Sequence, residues 1–351
     1  MRRRGAKRPA GSPPFGWRPA RGLLGVASVA VATVGLAACG LVSPAPAAST
    51  SSGHADHARP STSPAAPPVD MAALIDPPTG KYFGVEANGA PDSLTPVQDF
   101  ADLAGRQPDL IGQYVAWGTT FDAAAARSAW SYNALYYVAW EPFDTTVAAI
   151  ANGDSNGYIT SFAEQIKAAG IPVALSFGHE MNGDWYPWGI TSTSPQSFVA
   201  AWRLIHALFA AVGATNVIWI WNPNVISATD VPLEPYYPGN SYVDWIGLTG
   251  YFPMYGPTTF NQLFGASMAE VRTFTRKPFI IAETSVQTGP SETGCVRSLV
   301  RGVEGNSDVL GFVWFEYSKA GVDWSLASRP AISDTLAKAM ATLPIVNVTG
   351  T

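Results

Sequence analysis

The chain has 351 residues, 47% of them apolar, which allows one large domain with its own core. Seven of its 21 basic residues lie in residues 1–38, which contain no acidic residue, so the rest of the chain carries a net charge near −12. A surface with this charge repels nucleic acid and anionic lipid, and it suits a neutral substrate outside the cell.

The first 38 residues are typical of a bacterial secretion signal. A basic start is followed by an apolar run that is too short and too poorly flanked to span a membrane. The run ends in LAACG, residues 36–40, which resembles a lipobox, so we predict that Cys39 is lipidated and becomes the new N-terminus. The protein would then be secreted and held on the outer face of the cell membrane by this lipid alone. An ordinary signal peptide with an incidental cysteine is the alternative.

Residues 39–78 are predicted to form a disordered tether between the lipid and the folded domain. They are rich in Ala, Ser, Thr and Pro, a composition that cannot bury enough apolar surface to order itself. We interpret His54 and His57 in this segment as solvated. Because Cys295 is the other cysteine of the chain, lipidation of Cys39 would leave no partner for an intramolecular disulfide.

From Lys81 onward, short apolar runs alternate with amphipathic segments, the pattern of a parallel α/β fold. The best-marked helix is capped by Ser194 and ended by Gly213. Eight strands in this alternation predict a single (β/α)8 TIM barrel over residues 79–345. A doubly wound open sheet is the rival, but the turn after the first strand lacks a Gly-rich phosphate-binding pattern. The predicted strands are 81–88, 109–117, 134–142, 171–180, 216–224, 243–251, 277–285 and 309–317.

The C-terminal ends of the predicted strands concentrate acidic and aromatic side chains. In a barrel, these positions hold the catalytic groups. Five of them are glutamates, although only 13% of the chain is charged. So many glutamates at these positions argue against the alternative that each one simply faces water at the rim of the barrel. The residues are Glu86, Trp117, Glu141, His179, Glu180, Trp221, Asn222, Tyr251, Glu283 and Glu316.

Paired carboxylates walled by aromatic rings fit glycoside hydrolysis better than metal chemistry. The sequence HEMNG, residues 179–183, lacks the second histidine of a zinc protease, and His179 and His206 are the two histidines of the predicted fold. In glycoside hydrolysis one carboxyl group protonates the leaving oxygen and another attacks the anomeric carbon. Sugar rings stack on the indole and phenol rings.

Several motifs in the right order resemble glycoside hydrolase family 26. They are GHEMNGDWYPWG, WNPN, YYPGNSYVDWIGLTGY, KPFIIAETS and WFEYSKAGVDW, spread over residues 80–342. The resemblance implies a (β/α)8 fold and a retaining mechanism, with Glu180 as the acid/base and Glu283 as the nucleophile. It also implies that Tyr251 hydrogen-bonds the nucleophile and that Trp185 lies beside the reacting sugar. The two carboxyl groups should then lie about 5–5.5 Å apart.

The resemblance leaves the substrate open between two neutral polysaccharides. Mannan-cleaving members often carry a histidine near the end of the third strand, where this chain has Glu141 in a Trp-Glu-Pro sequence that looks more like members acting on mixed-linkage β-glucan. Glu141 and Glu86 are each either a sugar-binding or a rim residue. We also predict that His179, Trp188 and Trp324 bind substrate, with a structural role as the alternative for His179.

The sequence therefore predicts a monomeric endo-β-glycanase that hydrolyses β-mannan or mixed-linkage β-glucan without a metal or organic cofactor. Its predicted partner is the polysaccharide, with no nucleic acid, and with the membrane only through the lipid. Two alternatives stay open. One is a catalytically silent carbohydrate-binding lipoprotein, and the other is a hydrolase of the organism's own exopolysaccharide.

Overall fold

The computed structural model describes residues 69–77, 79–319 and 321–349, and these form a closed barrel of parallel strands. Each strand pairs with the next in chain order, and the last pairs with the first. The predicted (β/α)8 fold is therefore confirmed. The strands are β1 Tyr82–Ala87, β2 Leu110–Ala116, β3 Leu135–Glu141, β4 Val173–Phe177, β5 Val217–Trp221, β6 Trp245–Thr249, β7 Phe279–Thr284 and β8 Val309–Glu316.

Helices lie between the strands and cover the outside of the barrel. The helix predicted from its capping residues is α6: Ser194 Oγ accepts from the Ser197 amide, and Gly213 ends the helix with φ of 73°. A small hairpin of β9, Ser318–Lys319, and β10, Val322–Asp323, follows the last barrel strand. The helices are α1 Met71–Ile75, α2 Thr95–Ala104, α3 Ala123–Ser131, α4 Val147–Ala151, α5 Asn156–Ala169, α6 Pro195–Val212, α7 Ile226–Thr229, α8 Phe260–Phe274, α9 Glu292–Glu304 and α10 Pro330–Met340.

Two layers of apolar side chains hold the fold together. One fills the barrel interior, and the other lies between the strands and the surrounding helices. Strands buried on both faces read as continuous apolar runs, which is why most of the eight could be predicted in this way. No helix within the described residues is long and apolar enough to cross a membrane.

Part of the segment predicted to be a tether is folded, since residues 69–77 include helix α1. Asp70 caps α1 by accepting from the amides of Ala72 and Ala73, and Leu74 is 4% exposed. At the bottom of the barrel, Tyr82 Oη donates to Leu74 O over 2.7 Å, and Trp245 Nε1 donates to Ile75 O over 2.8 Å. One apolar side chain and two hydrogen bonds thus order a short segment whose composition predicts disorder. Most of the predicted tether, His54 and His57 included, and the predicted lipidation site Cys39 lie outside the described residues.

Strand β4 ends at Phe177, three residues before the predicted end. Gly178 and Glu180 both have positive φ, 56° and 54°, so the chain leaves the extended conformation there. Hydrogen bonds to neighbouring strand ends hold this turn, from the Gly178 amide to Trp140 O and from the Glu180 amide to Asn222 O. A left-handed conformation costs a non-glycine residue about 1–2 kcal/mol, so the surrounding structure must hold Glu180 in place.

Candidate active site

Four glutamates from four strands meet at the C-terminal end of the barrel. Glu86 and Glu141 lie near the ends of β1 and β3, Glu180 follows β4, and Glu283 lies on β7. All are buried, from 1% exposed for Glu86 to 8% for Glu283. Charges this close in a buried site disfavour one another's ionisation. The side chains that surround the four carboxyl groups differ from one glutamate to the next.

The Glu180 carboxylate is held by one indole and one amide. Trp185 Nε1 donates to Oε2 over 2.8 Å, and Asn224 Nδ2 donates to Oε1. Gly183 leaves room for the Trp185 ring, because a Cβ at that position would lie 2.5 Å from it. Both oxygens of Glu180 are thus fixed in direction by side chains from its own loop and from the segment after β5.

Asn224 is a functional residue that sequence reasoning missed. Its position is set by Asn182, which is fully buried. Asn182 Oδ1 accepts from the Asn224 amide over 2.8 Å, and Asn182 Nδ2 donates to Asn224 O over 2.9 Å. The motif WNPN, residues 221–224, carries the family resemblance, but only its Trp221 and Asn222 are among the predicted strand-end residues. Asn222 instead accepts from Thr249 Oγ1 and takes part in barrel packing.

Two tyrosine hydroxyl groups bind the Glu283 carboxylate. Tyr251 donates to Oε1, and Tyr114 Oη lies 2.7 Å from Oε2. Burial and the nearby Glu283 carboxylate raise the pKa of both tyrosines well above the usual 10. Both therefore keep their protons at neutral pH, and each has a proton to donate.

Tyr114 was also missed, because it lies in the middle of β2 and not at its end. Its position could have been found from the register of the first two strands. Glu86 pairs with Gly112, and side chains two residues apart share a face, so Tyr114 points to the same side as Gly112. The sequence has a glycine followed two residues later by a tyrosine, but this pattern points to Tyr114 only once the pairing of Gly112 with Glu86 is known.

Glu316 is the last residue of β8, and its carboxylate binds the loop that follows the strand. Its carboxylate accepts from Ser325 Oγ over 2.6 Å, from the Leu326 amide over 2.7 Å and from Trp314 Nε1 over 3.1 Å. Burial raises its pKa, and these three donors oppose that shift. The carboxylate therefore fixes the loop that carries Trp324. Two other strand-end residues, Trp117 and Trp221, belong to the core.

The aromatic side chains divide into exposed and buried groups. Trp185 and Trp324 are half-exposed, and the Trp324 ring centroid lies 4.9 Å from that of Tyr251. Trp188 is 1% exposed and stacks on Tyr186 with ring centroids 4.3 Å apart. A ring buried on both faces offers nothing to a sugar. The prediction that Trp188 binds substrate is therefore corrected: it supports the site from below.

His179 and Glu141 are buried in the same site as Glu180 and Glu283. His179 Nε2 lies 3.2 Å from Tyr186 Oη, and its backbone oxygen accepts from Trp188 Nε1 over 2.7 Å. The histidine is thus set by the aromatic layer beneath the site. Glu141 is 2% exposed, and its charge acts on neighbouring Glu86. Within the described residues, no group of three or more His, Cys, Asp or Glu side chains could hold a metal ion.

Replacing Trp188 and Trp185 by alanine should distinguish a ring that stabilises the fold from a ring that binds glycan. Trp188→Ala removes a fully buried ring and is expected to lower the free energy of unfolding by about 3–5 kcal/mol. Trp185→Ala removes a partly exposed ring and its hydrogen bond to the buried Glu180, so it should lower the free energy of unfolding by less, about 1–2 kcal/mol, while weakening glycan binding. Urea unfolding measures the first effect and calorimetric titration with oligosaccharides the second. Equal unfolding midpoints for the two variants would contradict this division.

Known proteins are similar to this chain in sequence. Residues 138–285 match the model of Glycosyl hydrolase family 26. Endoglucanase H of Acetivibrio thermocellus is 32% identical over 259 residues, which make up 69% of this chain and 28% of that protein. Mannan endo-1,4-beta-mannosidase of Bacillus subtilis strain 168 is 31% identical over 133 residues, 36% of this chain and 33% of that protein. The match spans about a third or less of the length of each relative.

Solved structures share the fold at lower sequence identity. A modular endo-beta-1,4-mannanase from Cellulomonas fimi has a TM-score of 0.60 and 16% identity, and the match covers 80% of this chain and 75% of that chain. Bacillus subtilis mannanase man26 has a TM-score of 0.57 and 17% identity, covering 80% and 93%. These similarities show the same barrel architecture.

Proposed function

The chain belongs to glycoside hydrolase family 26, and from this premise we propose that its barrel is a retaining endo-β-glycanase acting on a neutral polysaccharide. One observation carries the proposal. Two buried carboxylates at the ends of β4 and β7 are held in contrasting ways, Glu180 by an indole and an amide, and Glu283 by two phenol groups. This contrast suits two different tasks in double displacement.

In the first step, Glu283 attacks the anomeric carbon while Glu180 protonates the leaving oxygen. The two tyrosine hydroxyls favour the ionised form of Glu283 and aim its oxygens before attack. In the second step, Glu180 takes a proton from a water molecule as the water oxygen attacks the anomeric carbon, and the bond from this carbon to Glu283 breaks. Trp185 favours the ionised Glu180 that this second step needs. The amide of Asn224 can donate to the ionised form or, after rotation, accept from the protonated one.

The substrate is either a β-glucan or a β-mannan. The match to endoglucanase H is the longer one, which favours glucose-containing chains and agrees with Glu141 in its Trp-Glu-Pro setting. The matched region is 28% of that protein, however, so the name of the whole relative does not identify what this region cuts. The match to the Bacillus subtilis mannosidase supports mannan over a shorter segment.

A reducing-sugar assay on five glycans tests both the activity and its substrate. We expect release from barley mixed-linkage β-glucan, galactomannan or glucomannan, and little from carboxymethylcellulose or β-1,3-glucan. Release from barley β-glucan alone would identify a glucanase, and release from mannans alone a mannanase. A folded protein that binds these glycans without cutting any of them would instead be a carbohydrate-binding protein, and the proposed activity would be wrong.

We further propose that the enzyme is anchored outside the cell by lipid on Cys39. Support comes from the LAACG sequence and the basic and apolar segments before it. Expressed with its full N-terminus in a bacterium, the protein should partition into the detergent phase, and Cys39→Ser should move it to the aqueous phase. Mass spectrometry of the mature N-terminus should find an acylated residue 39. An unmodified cysteine within an intact or differently cleaved chain would contradict the anchor.

A further inference from the structure

Glu86 is a buried carboxyl group at the centre of the site to which the proposed mechanism gives no task. It is 1% exposed, and its Oε2 lies 2.7 Å from Tyr114 Oη. The same Tyr114 oxygen lies 2.7 Å from Glu283 Oε2. A single phenol oxygen therefore bridges two carboxyl groups, one on β1 and one on β7.

Counting protons shows that the two carboxyl groups cannot both be ionised in this arrangement. A phenol has one proton, so Tyr114 donates to one partner and must accept a proton from the other. If both carboxyl groups were ionised, one of the contacts would place a negative oxygen against a phenol lone pair with no proton between them. One carboxyl group therefore carries a proton.

The surroundings identify Glu86 as the protonated group. Glu283 receives a second hydrogen bond, from Tyr251 at Oε1, which favours its ionised form. The other oxygen of Glu86, Oε1, is buried without a hydrogen-bond partner among the described residues. A carboxylate left half-unpaired in this way is costly, whereas the carbonyl oxygen of a neutral acid is much less so.

The three carboxyl groups that face Glu86 act in the same direction, and they come from different elements: Glu141 on β3, Glu180 after β4 and Glu283 on β7. Tyr114 on β2 acts against them. Burial and the charges of Glu283, Glu141 and Glu180 raise the pKa of Glu86 well above its usual value, and the Tyr114 hydrogen bond opposes them only in part.

The fold makes room for this neutral acid at a glycine. Gly112 pairs with Glu86 across β1 and β2, and a Cβ at Gly112 would lie 2.4 Å from the Glu86 Cγ. A side chain there would push Glu86 away from Tyr114. The close approach therefore depends on the absence of a side chain at position 112.

We propose that Glu86 is a protonated carboxylic acid at neutral pH that donates to Tyr114, so that the Tyr114 proton is directed to the Glu283 carboxylate. Glu86 is then a positioning residue, which acts on the nucleophile through Tyr114. The inference rests on the proposed function for the role of Glu283, but the protonation of Glu86 can be tested without turnover.

The direct test is infrared spectroscopy of the resting protein at pH 7. Glu86→Gln keeps the size and a donor group but removes the carboxyl. The difference spectrum, wild type minus Glu86→Gln, should contain the carbonyl band of a protonated carboxylic acid. Glu304→Gln, on the exposed face of α9, is the matched control and should instead remove a carboxylate band. Loss of a carboxylate band in Glu86→Gln would overturn the proposal.

Kinetics test the positioning role. Glu86→Gln should keep kcat/KM within about threefold of wild type, whereas Glu86→Leu, which cannot donate, should lower it by about tenfold, roughly the worth of one hydrogen bond. In a Tyr114→Phe background, Glu86→Leu should cost less than about twofold, because Glu86 acts through Tyr114. A full tenfold loss in that background, equal losses for Gln and Leu, or no loss for Leu would each overturn the role. A chain inactive on every glycan would leave the infrared result standing and reject the proposed function alone.

Discussion

Glu283→Ala is expected to lower kcat on the polysaccharide by about 10⁴-fold or more, the order of loss seen when a covalent nucleophile is removed. The proposed mechanism gives the attack to Glu283, whose two carboxylate oxygens contact the hydroxyl groups of Tyr114 and Tyr251. Folding should be little affected, since the change removes a buried charge and leaves two phenol groups able to bind water. Initial rates and circular dichroism of the purified variant measure both effects.

Azide can show that this loss has a chemical and not a structural cause. In Glu283→Ala, a small anion can enter the space left by the carboxylate. It can then attack the anomeric carbon of an aryl β-glycoside from the face that Glu283 attacks in the wild type. The product should be an α-glycosyl azide, because a single displacement inverts the anomeric carbon. Glu304→Ala, on the solvent side of α9, is the matched control and should behave as wild type. A Glu283→Ala protein that retains turnover, or that makes the β-azide, would contradict the assignment.

The barrel was predictable from the sequence because most of its strands are buried on both faces, although the second half of β2 is only partly buried. Short apolar runs such as VALSF in β4 and VIWIW in β5 predict strands that are covered on both faces. The strand ends were less predictable. Strand β4 stops at Phe177 because Gly178 and Glu180 take left-handed backbone angles, and nothing in the apolar pattern marks that change for Glu180.

Residues with a proposed role in the reaction were easier to find in the sequence than residues that hydrogen-bond to them. Glu180, Glu283 and Tyr251 were among ten residues near predicted strand ends, and the resemblance to the family then singled out these three. Tyr114 and Asn224 could be assigned only once register and loop geometry were known, because each bonds to a residue far away in the chain. Trp188 looked like a sugar platform, but burial, which depends on tertiary packing, decides whether a ring faces a ligand or the core.

Glu180→Ala should produce a loss that depends on the leaving group. On the polysaccharide, whose leaving oxygen needs a proton, kcat/KM should fall by about 10²–10⁴-fold, the usual contribution of a general acid. An aryl β-glycoside with a strongly acidic phenol needs no such proton, so its first step should stay nearly as fast as in wild type. A burst of phenol followed by slow turnover is therefore expected, because the second step still lacks its base. Rapid-mixing kinetics on the two substrates measures the contrast.

The two alanine variants should give opposite products with azide, and this contrast carries the argument for two displacements. In Glu180→Ala, Glu283 still forms the glycosyl-enzyme, so azide attacks from the face where Glu180 stood and yields the β-glycosyl azide. In Glu283→Ala, azide takes the place of the nucleophile and yields the α form. A single-displacement enzyme passes through no glycosyl-enzyme, so it offers azide no route to a β-product. Formation of the α-azide by Glu180→Ala would therefore mean that the acid/base and nucleophile assignments must be exchanged or the retaining mechanism abandoned.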